Sequence, residues 1–151
     1  MEMQRLKKNI VSIESTIEKL MEISKTKQTV LIQRNHEELN SLIEKEQQLL
    51  NTITNLSKQQ KSLTDEIKLE FGLPEETNSL TDILNLINNE IDKDHSIQLK
   101  ESLKNISEQS VELHKINEQN KMLIEASRIF IKGIIQSVRG SANSSIINRR
   151  M

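Results

Sequence analysis

His36-Glu37-Glu38-Leu39-Asn40 matches the opening of the HExxH helix motif, in which imidazoles on successive turns hold zinc and the glutamate acts as base. Asn40 stands where the second His is required, so a single ring would face the metal. Asp92 and Asp94 open like a calcium loop, but the loop's Gly and its closing Glu are missing, and helix capping is the better reading. His95 and His114 are each isolated, as surface or capping residues usually are. The chain has no glycine-rich phosphate loop, no nucleophile elbow and no cysteine to supply a thiolate or a sulfur ligand. The expectation is a protein that is not an enzyme and carries no cofactor and no metal.

With chemistry of that kind set aside, the elements carry the argument. The 151 residues are 28% charged and 34% hydrophobic, too lean in apolar side chains for a thick globular core and better suited to an elongated shape. Three Gly, one Pro, two Phe and no Trp or Tyr leave little to build hairpins and strands, so the fold class is all-α. The 21 basic and 22 acidic residues are interspersed, which argues against nucleic acid as a partner. No apolar stretch has the form of a signal peptide or approaches the roughly 18 residues of a membrane span. A cytoplasmic protein without direct membrane insertion is expected, and the lack of cysteine suits a reducing compartment.

From Met3 to Ile67 no Gly or Pro intervenes, and apolar residues recur every three or four positions. Met3, Leu6, Ile10, Ile13, Ile17 and Leu20 keep a coiled-coil beat; Leu39, Leu42, Leu49, Ile53, Leu56, Leu63 and Ile67 keep it again, out of phase, with Glu46 and Gln60 as polar members. The spacing predicts one long helix over about 3–70, or two nearly collinear ones, with slight unwinding or a bend between Ser24 and Glu38. Residues 71–79, FGLPEETNS, form a turn, and Ser79 with Asp82 resembles a capping box for a short helix over 80–91. Asp94 or Ser96 then caps a long helix over about 95–139, and 141–151 reads as a disordered tail after a single domain of 1–140. These pieces predict an elongated antiparallel helical hairpin, its last helix lying against the first half of the first. Glu101/Lys104, Glu112/Lys115, Glu118/Lys121 and Glu125/Arg128 would support the exposed face of that last helix.

The last helix has more apolar surface than one partner covers. A seam toward the first arm runs Leu99, Leu103, Ile106, Ser110, Leu113, Asn117, Asn120, Ile124, Ser127, Ile131, Ile134 and Val138. A second stripe, Ile116, Leu123 and Phe130, begins only there, and Met122, Ile129 and Ile135 broaden it. Either this surplus is ordinary core beneath another helix of the chain, or it is a docking groove for an amphipathic helix from another protein. Asn117, Asn120 and Ser127 bear on the choice, because polar residues in a seam fix register or stay wet until a partner arrives.

The run Asn117-x-x-Asn120-x-x-Leu123-Ile124-x-x-Ser127-x-x-Phe130, after a long helix and a Gly/Pro-containing break, resembles the C-terminal signature of the FlgN family of flagellar export chaperones for hook-associated proteins. The specific part spans about 28 residues; elsewhere the likeness is one of length and layout. The resemblance implies that the last helix grips the C-terminal amphipathic segment of a hook-associated cargo and delivers it to the cytoplasmic domain of the export gate. It assigns cargo contact to Leu123, Ile124, Phe130, Ile131 and Ile134, with Asn117 and Asn120 shaping the site; Ile116 and Ser127 complete the candidate face. Family members often offer a tyrosine hereabouts for gate docking, and this chain has none. Two alternatives stay open. One is a homodimeric coiled-coil spacer pairing Met3–Leu20 with Ile116–Val138 between chains; the other is an adaptor using the Arg149/Arg150 tail.

Overall fold

In the structure, a computed structural model, the backbone is described for residues 2–77, 79–87 and 92–150, and side chains for 3–77, 79–87 and 92–138. The elements are α1 (Glu2–Gln33), α2 (His36–Glu70), α3 (Leu80–Leu86) and α4 (Lys93–Arg150), with no strand among the described residues. The fold is all-α.

The first arm is not a single helix. At Arg34 the chain enters the left-handed region (φ 58°), and the Arg34 and Asn35 amides donate back to the Leu31 and Val30 carbonyls at 3.3 and 3.2 Å, the paired bonds of a left-handed helix stop. Asn35 immediately starts α2: its side-chain oxygen accepts from the Glu38 amide at 3.3 Å, while its Nδ2 donates to Glu38 Oε2. The chain therefore reverses within the polar stretch where the sequence suggested only a bend. A heptad beat is equally compatible with continuing straight or folding back, and the out-of-phase stripes are those of two helices facing each other.

Asn9 Nδ2 donates to the Leu56 carbonyl at 2.9 Å and Lys27 pairs with Glu46 at 3.1 Å, so α1 and α2 are antiparallel. That pair explains the polar member of the α2 stripe: its side chains are only 11% and 20% exposed. The far end of α2 stops at Gly72 (φ 62°), with Leu73 donating to the Lys68 carbonyl at 2.9 Å. Ser79 occupies the N-cap position of α3 but makes no side-chain capping bond. Asp92, rather than Asp94 or Ser96, caps α4, its carboxylate accepting from the Asp94 amide at 3.3 Å. Residues 88–91, the predicted end of the short helix, lie outside the described residues.

α4 then runs beside α1 in the parallel sense. Lys7 meets Gln98, Glu14 meets Asn105 and Gln28 meets Gln119, each pair 91 residues apart. This overturns the predicted antiparallel placement of the last helix: because the chain has returned to its starting end by Ile67, α4 begins beside the beginning of α1. The order is up, down and up again, with α1 packed against both α2 and α4. Its flanks fit that role, since Leu6, Ile10, Ile13, Ile17 and Leu20 are buried together with Asn9, Thr16 and Ser24. The densest core lies at the base, where Leu6, Ile10, Ile67, Ile83, Leu84, Ile87 and Leu99 are almost fully enclosed. Burying side chains of this kind stabilises by about 1.5–3 kcal/mol each before chain entropy is subtracted.

One further expectation changes. Among the described residues the α4 surface pair is Lys104 with Glu108 at 4.0 Å, four residues apart, and both side chains are mostly exposed, so it contributes little. The backbone of α4 is helical through Arg150. The side-chain surroundings of 139–151 lie outside the described residues.

Candidate docking face at the hairpin tip

The α1–α2 reversal stands beside the middle of α4. At the offset that pairs Gln28 with Gln119, the last residue of α1 is level with Ile124. Val30, Leu31, Arg34, His36 and Leu39 then line one wall of a groove of about 330 Å³, and Ile124, Ser127, Phe130, Ile131 and Ile134 line the other. The Arg34 guanidinium lies over the Phe130 ring, 5.0 Å from its centroid, an attraction worth about 0.5–1 kcal/mol at an exposed site. Beyond this contact α4 carries its apolar side chains uncovered. Phe130 is 51% exposed, Ile131 49%, Ile134 48%, Ile135 45% and Val138 63%.

The candidate residues divide by height along α4. Ile116 and Asn120 are buried against α1. Asn120 Nδ2 donates to the Ser24 carbonyl at 2.9 Å, leaving its Oδ1 without a hydrogen bond, and the Ser24 hydroxyl donates to Asn117 Oδ1 at 2.9 Å. These asparagines thus clamp α4 to α1 through one serine. Leu123, Ile124 and Ser127 are half-buried along the edge of the seam, and Phe130, Ile131 and Ile134 project from it. The second stripe is core at its lower end, where Ile116 is buried, and surface at its upper end, where Phe130 is exposed.

Sequence reasoning missed the opposite wall. Val30, Leu31, Arg34 and His36 join the site only because the chain reverses, and Leu39 was assigned to an inter-helix seam. Asn35-x-x-Glu38, an N-cap spacing, was the available signal. His36 opens α2 and lines the groove, and among the described residues no cluster of three or more His, Cys, Asp or Glu gathers there or elsewhere.

The long helix α4 thus passes the tip of a helical hairpin, and its apolar residues extend beyond the contact. A family model described as FlgN protein matches residues 1–148, nearly the whole chain. The chain belongs to the FlgN family. No curated protein and no solved structure matches it. FlgN membership gives it a general role as a chaperone of flagellar export with flagellar proteins as its substrates, and places it in a chaperone family, not an enzyme family. No described helix is long and apolar enough to cross a membrane.

Proposed function

We propose that this FlgN-family chain binds the C-terminal amphipathic helical segment of hook-associated proteins in the cytoplasm, prevents their premature self-association and delivers them to the cytoplasmic domain of the export gate. The observation that carries the reading is the row Phe130, Ile131, Ile134, Ile135 and Val138, each at least 45% exposed on a helix whose lower half is packed. Contiguous uncovered apolar area on a protein in water marks an interface. The mechanism is mutual burial: a cargo segment made adhesive by its later packing partners lies along this row, and one end enters the groove beside Arg34. Ordering such a tail costs about 2–5 kcal/mol of the gross interaction, which leaves an affinity that can be reversed at the gate. No nucleotide is needed for that cycle.

The homodimeric spacer loses its surface. Leu6, Ile10, Ile13, Ile17 and Leu20 are each no more than 6% exposed beneath this chain's own helices and are not free to pair with a second copy.

The test is calorimetric titration of a hook-associated C-terminal segment into Phe130→Asp/Ile134→Asp. Placing two carboxylates in the apolar row is expected to weaken binding by about 100-fold or more while circular dichroism stays helical. Leu69→Asp, at an 85% exposed position on α2, is expected to bind normally. Unchanged affinity in the double variant would overturn the assignment.

A further inference from the structure

The charges that alternate along most of this chain separate at its end. From Ala126 to Met151 the sequence holds Arg128, Lys132, Arg139, Arg149 and Arg150 and no Asp or Glu. The described part of that segment is where α4 leaves its neighbours. There Arg128, Lys132 and Gln136, four residues apart, form a polar ridge beside the apolar ridge of Ile131 and Ile135, and these five residues together line a second shallow hollow of about 300 Å³. Across the apolar strip, Arg34 lies over Phe130. Neither hollow on this face is lined by an acidic residue.

From this arrangement, and resting on the docking reading above, we infer that the occupant is an amphipathic helix whose apolar stripe is bordered by carboxylates three or four residues apart. Ridges at four-residue spacing on one helix pack beside ridges of the same spacing on another. A partner whose Leu or Ile row sits on Ile131 and Ile135 brings its neighbouring row over Arg128 and Lys132. Glu or Asp there meets Arg128 and Lys132, two cations beside the single carboxylate of Glu125 one turn below, and Lys or Arg meets a ridge of net positive charge. Arg34 and Arg128 extend the same preference into the groove mouth. Described α4 from Ile124 to Val138 spans about 20 Å, enough for roughly four turns of partner helix. An anionic lipid surface shares this charge but not the shape. The groove is concave between two walls, a form that a helix fills and a flat surface does not.

The inference is tested on the full chain with synthetic helical peptides of about 18 residues sharing one Leu/Ile stripe and differing only in whether its borders are Glu, Gln or Lys, measured by fluorescence anisotropy. The Glu-bordered peptide is expected to bind about tenfold or more tighter than the Lys-bordered one at low salt. High salt should shrink that margin, and Arg128→Glu/Lys132→Glu should reverse the order. Equal binding of all three peptides, each still lost in Phe130→Asp/Ile134→Asp, overturns the charge preference and leaves the docking face standing. Peptide binding indifferent to Phe130→Asp/Ile134→Asp overturns the face itself. Cosedimentation with phosphatidylserine vesicles, without preference for the Glu-bordered peptide, overturns the inference in favour of a membrane surface.

Discussion

With φ at 58°, Arg34 holds a backbone conformation in which its Cβ crowds the following carbonyl, at a cost of about 1–2 kcal/mol. Glycine would serve the left-handed stop better, yet glycine has no guanidinium to lay over Phe130. Arg34→Gly is therefore expected to stabilise the fold by about 1 kcal/mol, raising the melting temperature by about 3 °C in a circular dichroism melt, while weakening cargo binding. An unchanged or lower melting temperature would show that the relief of strain does not exceed the lost ring contact and the greater freedom of glycine in the unfolded chain. One residue further on, Asn35→Ala removes the cap of α2 and is expected to cost about 1 kcal/mol in denaturant unfolding. The turn was hard to read from sequence because neither residue is Gly or Pro. Its information lies in the Asn35 to Glu38 spacing and in a φ that no residue type announces.

Among the elements, α4 is held by two different kinds of contact. Its lower part is pinned by Leu99 in the base core, and its middle is held through Asn117, Asn120 and Ser24. Asn120 is only half satisfied, since its buried Oδ1 has no partner, and such a group trades stability for register. Asn120→Leu should raise unfolding free energy by about 1 kcal/mol in a denaturant titration; a loss of stability would mean that the Ser24 carbonyl depends on that amide. The stripes of α1 and α2 and the surplus on α4 were plain in the 3.6-residue pattern. What the pattern missed is that α1 is the central helix: one of its flanks is buried through Asn9 and Thr16, which an apolar count passes over. The base core was nearer the surface of the sequence, because Ile83, Leu84 and Ile87 already share one side of a short helix.

At the scale of the whole molecule, the reversal at Arg34 decides the outcome. A continuous first helix would have laid α4 back along it, with the surplus face near the start of the chain. The folded arm instead sends α4 past the hairpin tip, which leaves the upper apolar row bare and places a groove at its foot. All-α class and the family likeness were legible because they depend on local periodicity and on one 28-residue signature. Topology depends on two backbone stops, and only Gly72 advertised itself.

Hydrogen–deuterium exchange on the full chain, with and without a hook-associated C-terminal segment, tests the docking face most directly. Saturating cargo should slow exchange in α4 from Ile124 to Val138 and at the tip from Val30 to Leu39, leaving the base around Ile67 and Ile83 unchanged. Protection confined to the base, or to the outer face of α2, with the upper part of α4 exchanging as in the free protein, would contradict the account.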